Sequence, residues 1–573
     1  MPIDIWTTHA LDKLFPESEK PGDAACAIAL KAARNETEDA QAAVRIPKGM
    51  TIARAGFTLP ELRGPSGTAI AAENLSARWV WYTYVLNNPP ENRDPATYLR
   101  KAPAFFPDAF LEEEEIAIRD EWTQPLWVSA RVPEGTPPGE YAGELGIHLV
   151  DGEGARHEFA IPLTLTVWPF TLPSPGHLRH TEWMFPSQMA DYYHLEMWSE
   201  EFWGWIERIA ADMGRHRQDM ILTNFMELVG VTRGPSGTLT FDFTCLDRWV
   251  EIFKRAGVEW IEGGHVATRA GGWESEMVWS RFPIADADET PLDTSRGGMS
   301  DDEFAPYMEG MLKAVHAHLA ARGWQRHYVQ HISDEPVPAN EASWRSRAAR
   351  VREWLPGTPI IDAVMSEGLE GSIDIRVPQI QHITPQTPRH PGEALWSYVC
   401  LGPQGPYPNR FLDYPSIRNR IIYWLSWSLK LEGFLHWGYN YWSRWGNLPA
   451  CVTPSPWLDA TAGSIYCVGQ DSYPLPAGDP HIVYPGKRGI CSSIRWEVIR
   501  KGFEDFEYLY LLEQVVADGA QRDSPAHHQA EELLRRVREE IAPAPLTHTR
   551  DDRLLLRTRD EIGALLAELA PDV

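Results

Sequence analysis

The stretch Tyr328-Val329-Gln330-His331-Ile332-Ser333-Asp334-Glu335-Pro336 sets a short apolar run directly before two adjacent carboxylates and a proline. The run reads as a buried strand that breaks into a loop. Pro336 stops the ladder, because proline has no N–H to donate. Two acids at the carboxyl end of a strand match the needs of sugar chemistry: one protonates a leaving oxygen, the other manages developing positive charge.

The flanking pattern supplies the fold. From residue 177 onward short apolar runs alternate with amphipathic stretches. The runs are Thr181-Glu182-Trp183-Met184-Phe185, residues 220–225, residues 258–261, the acid-bearing run, residues 359–364, Gln379-Ile380-Gln381-His382-Ile383, residues 395–399 and residues 433–440. Helical periodicity appears near 202–213, 246–256, 304–322, 342–354 and 417–429. This is the rhythm of a (β/α)8 TIM-type barrel, with the acids on its fourth strand.

Upstream, Phe159 to Val167 places large apolar residues at odd positions and small or polar ones between. Tyr141 to Leu149 alternates likewise, with Leu145 and Ile147 on the inner face. Turn residues from Pro133 to Glu140 join two strands, and the region reads as an all-β sandwich. The expected division is a sandwich over 1–170, a barrel over 177–515 and a helical extension over 516–573 packed on the barrel. Pro169 to Gly176, with three prolines and a glycine, serves as the linker.

Composition narrows the function. A formal charge of −27 argues against nucleic acid and anionic membranes as partners. No run approaches a membrane span, and Met1-Pro2-Ile3-Asp4-Ile5-Trp6 lacks the pattern of a signal peptide, so cytoplasmic placement is expected. The chain carries 25 tryptophans, an excess that favours a carbohydrate partner, because indole faces stack on sugar rings. Six cysteines without C-x-x-C spacing suggest free buried thiols. Metalloprotease, P-loop, nucleophile-elbow and dinucleotide fingerprints are absent, and the histidines lack metal-ligand spacing. No cofactor and no metal are expected.

Carboxylates follow the strand candidates at Glu182, Glu227, Glu262, Asp334, Glu335 and Asp362, but the sixth to eighth strands end without one. A retaining glycosidase with a carboxylate nucleophile on strand seven is therefore disfavoured; that position offers Trp396 and Tyr398. An adjacent Asp-Glu pair suits substrate-assisted hydrolysis, in which the sugar's own 2-acetamido oxygen attacks the anomeric carbon. Glu335 is then the general acid, and Asp334 accepts the acetamido N–H. Repulsion within the pair raises one pKa. Tyr398 and Tyr439 are candidates to hold the acetamido oxygen, and Trp396, Trp437 and Trp442 to wall the pocket. Asn440, His331, Glu182 and Asn224 complete the substrate-binding candidates. His331 has a second reading, as a group that orients the acids. His265 and His382 read as structural, and Arg495 as an ion-pair partner.

Four blocks carry a family resemblance: His331-Ile332-Ser333-Asp334-Glu335-Pro336, Leu395-Trp396-Ser397-Tyr398-Val399-Cys400, Gly433 to Trp442, and Ser493-Ile494-Arg495-Trp496-Glu497. With Asn35-Glu36-Thr37-Glu38, they resemble the domain-of-unknown-function 4091 group, related to glycoside hydrolase family 123. The resemblance implies a sandwich followed by a barrel, and a retaining exo-β-N-acetylgalactosaminidase using substrate-assisted catalysis. The acidic pair carries over as Asp334 and Glu335. Preference for the galacto configuration is implied by the resemblance alone. The alternatives are a glycosidase for another sugar, such as N-acetylglucosamine, and a non-catalytic carbohydrate-binding protein on the same scaffold.

Overall fold

The computed structural model describes residues 2–89, 95–286, 288, 290–442, 455–460, 465–468, 471–519 and 522–570. The chain divides into two compact units. One comprises residues 1–177, 401–430 and 438–573; the other comprises residues 178–400 and 431–437.

The first unit contains the β-rich N-terminal domain. One sheet runs in the order Asp4–His9, Glu36–Arg45, Thr123–Val132, Leu75–Val85, Ala104–Phe110. The other runs Ile28–Arg34, Arg156–Thr171, Gly139–Asp151, Ile52–Thr58, Ile116–Ile118. The alternating segments pair antiparallel, Leu145 opposite Ile161. Their inward residues Leu145, Ile147, Leu163 and Leu165 share a buried core with Trp79, Leu126 and Val128 of the facing sheet. Period-2 alternation thus produces the two-layer packing. Residues 133–138 do not close a hairpin; the strands they join lie in different sheets. Gly139 sits there at φ +140°, where a Cβ would come within 2.8 Å of the Pro65 ring.

The long helix Ile494–Asp518, capped by Ser493, carries an apolar stripe of Ile494, Val498, Phe503, Phe506 and Leu509, all buried. Its charged residues Glu497, Arg500, Lys501, Glu504 and Asp505 are as buried as its apolar stripe. Lys501 pairs with Glu36 and with Glu38 (2.8 Å), and Arg500 reaches Asp39 at 2.5 Å. Asp505 takes a two-pronged bond from Arg420, at 2.6 and 2.8 Å. Arg559 of the last helix, Asp552–Leu569, adds contacts to Glu36 and Glu38. Burial would raise the Glu36 carboxyl, but Arg559 and Lys501 outweigh it and hold it at about 2. Such buried networks specify one docking arrangement rather than adding much net stability. They explain why residues 401–430 and 438–515, expected with the barrel, group with the sandwich, and why the C-terminal helices pack on the long helix and on strand Arg156–Thr171. Arg495 is an ion-pair partner as expected, bonded to Asp108 at 2.8 Å.

The second unit holds a parallel barrel. Its strands are Arg179–Glu182, Met220–Thr223, Trp260–Gly263, Tyr328–His331, Ile360–Val364, Ile375–Pro378, the split pair Ala394–Leu395 and Ser397–Tyr398, and Gly433–His436. A bridge from Gln379 to Tyr398 joins the two ends of this sheet. Helices Glu200–Arg215, Thr244–Arg255, Asp301–Ala321 and Glu341–Trp354 follow the first four strands, close to their expected places. The acids lie just past the fourth strand. The sixth strand is a correction: residues 375–378 form it, and the expected run 379–383 is mostly a 3-10 turn, Ile380–His382. Arg376 and Pro378 disguised the strand; Arg376 is satisfied by Glu393 at 2.6 Å and by the Pro388 carbonyl at 3.0 Å.

Among the described residues no helix is long and apolar enough to cross a membrane. Cys26, Cys245, Cys400 and Cys491 are free thiols, but only Cys491 is fully buried, and Cys26 is exposed. Cys451 and the Cys467 side chain lie outside the described residues.

Candidate active site

The turn after the fourth strand is held from both sides. The Glu335 N–H donates to the Ala363 carbonyl (3.0 Å), and Met365 N–H to the Pro336 carbonyl (3.3 Å), tying the turn to the fifth strand. From the third-strand side, the Ala267 N–H reaches the Ile332 carbonyl at 2.8 Å. The Arg269 guanidinium donates to the Glu335 carbonyl at 2.7 Å. These bonds hold Glu335 at φ +44°, a left-handed conformation that costs a β-carbon residue about 1–2 kcal/mol. Strain of this kind collects where side-chain direction matters.

Behind the turn stands a buried triad. His331 Nδ1 is 2.7 Å from Asp362 Oδ1, and Nε2 is 2.7 Å from Glu262 Oε1; all three side chains are fully buried. Asp362 Oδ2 accepts three obligate N–H groups, from Ile332 (3.1 Å), Ser333 (3.1 Å) and the Trp344 indole (2.9 Å). Glu262 Oε1 accepts the Trp183 indole at 2.9 Å, and its other oxygen takes the Thr181 hydroxyl. With both carboxylates ionised, both imidazole nitrogens donate and His331 is an imidazolium. Burial opposes that charge, yet the bonds to Asp362 and Glu262 lift His331 to about 10. Asp362 also grips the backbone of the turn through Ile332 and Ser333, so the triad positions the acids.

Burial, then the Glu335 and Asp362 charges, pushes Asp334 up to about 8. Burial raises Glu335 as well, against the Tyr398 hydroxyl and Arg269, which favour its anion. Tyr398 Oη donates to Glu335 Oε1. Burial and the acids push that phenol well above its usual range, so it remains a donor. The result is two adjacent carboxyls, both raised, with a tyrosine hydroxyl beside them. That arrangement can protonate a leaving oxygen and stabilise a cation.

Residues 183–512 match the glycoside hydrolase 123 catalytic domain, and residues 11–149 match the glycoside hydrolase 123 N-terminal domain. This chain belongs to glycoside hydrolase family 123. A solved family 123 glycoside hydrolase from Clostridium perfringens, studied for the details of glycolipid glycan hydrolysis, matches at 14% identity with a TM-score of 0.72, covering 99% of each chain. A β-D-glucuronidase from Dictyoglomus thermophilum matches at 8% identity and TM-score 0.31, over 82% of this chain and 67% of that one. Comparison with curated proteins finds no match.

As a family 123 glycoside hydrolase, the chain has a unit in which Tyr398 bonds Glu335 and His331 stands beside Asp334, with Trp396 and Trp437 in the same apolar cluster as Tyr398. Both ring nitrogens of His331 are engaged by carboxylates, which places it behind the acids. Glu182 ends the first strand fully buried, 3.3 Å from His180 Nε2 and 3.9 Å from His436 Nδ1. Trp396 lies over Gly433 at the start of the eighth strand, where a Cβ would meet the indole at 2.2 Å; this is the barrel end opposite the acids. Trp437 follows the eighth strand, half-buried, with its ring 6.4 Å from Phe185. Asn224 caps the short helix Phe225–Leu228 and bonds Glu227 at 2.8 Å. Tyr439, Asn440 and Trp442 are fully buried in the other unit; Tyr439 packs edge-on to Trp496, Asn440 bridges His481, and Trp442 bonds the Val483 carbonyl at 2.9 Å. Sequence reasoning missed Arg269, Trp183 and Trp344. Their only signal was position just past the first and third strands, or on the helix after the fourth. The His265 ring centroid lies 4.6 Å from that of His331, and its Nε2 is 3.7 Å from Asp362 Oδ1; burial, then the His331 charge, holds it well below its usual pKa, so it is neutral.

Proposed function

We propose that this glycoside hydrolase is a retaining exo-β-N-acetylgalactosaminidase that uses the substrate's 2-acetamido group as nucleophile. The observation that carries the reading is the adjacent Asp334 and Glu335, both raised in pKa, with the Tyr398 hydroxyl on Glu335. The seventh strand runs out through Tyr398-Val399-Cys400 and supplies no carboxylate nucleophile. Glycolipid glycans, described for the Clostridium perfringens enzyme, supply the substrate class; an acetamido nucleophile requires that the sugar released be a terminal β-linked 2-acetamido sugar.

In this reading Asp334 accepts the acetamido N–H and Tyr398 donates to the acetamido oxygen. That oxygen attacks the anomeric carbon as Glu335 protonates the leaving oxygen. The glycosidic bond breaks and an oxazolinium ion forms, its charge offset by Asp334. Water, deprotonated by Glu335, then opens the ring with net retention. Substrate binding moves one proton, shared between the two acids, from Asp334 to Glu335. While Tyr398 donates to Glu335, the shared proton is favoured on Asp334. An amide N–H arriving at Asp334 favours its anion, and Tyr398 turning to the acetamido oxygen leaves Glu335 without a donor. The proton therefore belongs to Glu335 once substrate is seated.

Hydrolysis of 4-nitrophenyl β-glycosides of N-acetylgalactosamine, N-acetylglucosamine and galactose tests this. The N-acetylgalactosaminide is expected to be fastest, and the galactoside at least about a thousandfold slower, equivalent to about 4 kcal/mol of lost participation. Equal turnover of the galactoside would rule out the acetamido nucleophile.

A further inference from the structure

Past the third strand, the chain forms a hairpin of Ala267–Arg269 with Met277–Trp279, and Trp273 stands in its turn. The indole is 49% exposed, among the most exposed large apolar side chains described, although its backbone is pinned. The Trp273 carbonyl accepts Arg269 Nε at 2.8 Å and Asn340 Nδ2 at 3.2 Å. The Arg269 guanidinium lies 3.8 Å from the indole centroid, against one face, while its other arm donates to the Glu335 carbonyl. One cation thus links an exposed aromatic ring to the backbone of the acid. Met365, equally exposed at 49%, borders the same turn from the fifth-strand side through its bond to Pro336.

We propose that Trp273 is the platform for the leaving group: its open face stacks on the sugar ring that follows the scissile bond. The inference rests on Glu335 as the general acid. An acid must lie within hydrogen-bond reach of the glycosidic oxygen, so the first ring of the leaving group lies beside the Glu335 turn. An indole whose backbone is pinned and whose other face is packed by a guanidinium offers what a pyranose ring recognises: a flat apolar surface that loses little entropy on binding. Met365 is a flexible apolar edge on the far side of the turn.

The test compares a β-linked disaccharide ending in the 2-acetamido sugar with the methyl β-glycoside of that sugar. Both leaving groups are alkoxides with similar need of an acid; they differ in the ring offered to Trp273. Trp273→Ala is expected to lower kcat/KM for the disaccharide about tenfold, the scale of one aromatic stacking contact, and to leave the methyl glycoside little changed. Trp273→Phe should restore most of the loss, which separates stacking from misfolding. Equal loss on both substrates, or none on the disaccharide, overturns the platform. A Glu335→Gln enzyme that still cleaves both substrates at the wild-type rate overturns the acid assignment beneath it.

Discussion

Replacing Glu335 by Gln is expected to lower kcat/KM on an N-acetylgalactosaminide with an alkoxide leaving group by about 10²–10⁴-fold, the range of a lost general acid. The same variant should lose far less on a 2,4-dinitrophenyl glycoside, whose phenolate departs without a proton. The alkaline fall of wild-type kcat/KM on the alkoxide substrate reports loss of the Glu335 proton, so it should vanish in the variant. Because the intermediate is intramolecular, added azide should restore turnover of the dinitrophenyl substrate and give the β-configured glycosyl azide. An equal loss for both leaving groups would show that Glu335 does not donate the proton. The side chain is isosteric and its φ of +44° is unchanged, so the variant should keep the wild-type melting temperature or exceed it. Removing one of two repelling buried carboxyls relieves the folded state.

Replacing Asp334 by Asn should behave differently. Asp334 serves the attacking group, not the departing one, so leaving-group quality offers no rescue. A neutral amide can still meet the acetamido group, but it cannot offset the positive charge of the oxazolinium ion. The expected loss is about 10²–10³-fold in kcat/KM on both substrate types, comparable to removing one preorganised electrostatic partner of a transition state. The pair of variants is therefore diagnostic: leaving-group dependence for Glu335, none for Asp334. If Asp334→Asn were rescued by the dinitrophenyl leaving group, the assignment of the two acids would be reversed.

The acid turn was legible because its signal is local. An apolar run, two carboxylates and a proline occupy consecutive positions, and the strand that ends there follows from the same residues. The alternating sandwich strands were legible for the same reason. Three features escaped because their cause is tertiary. Arg376 and Pro378 made the sixth strand look like a loop, since the Glu393 carboxylate that satisfies Arg376 lies 17 residues on. The buried ion pairs of the long helix from Ile494 were not visible, because Glu36, Asp39 and Arg559 are hundreds of positions away or at the chain's far end. Glu262 and Asp362 were visible as strand-end carboxylates. Only the sheet order, which sets the third and fifth strands on either side of the fourth, reveals them as the two partners of His331. That order also brings Arg269 and Trp273 to Glu335, although more than 60 residues separate them in the chain.

The most direct measurement is a crystal structure with the thiazoline derived from N-acetylgalactosamine, a stable mimic of the cyclised intermediate. The account predicts the thiazoline nitrogen on an Asp334 carboxylate oxygen, the Tyr398 hydroxyl turned from Glu335 to the ring sulfur, and Glu335 beside the anomeric carbon. A thiazoline bound away from Asp334 and Glu335, or with its five-membered ring pointing out of the barrel, would contradict it.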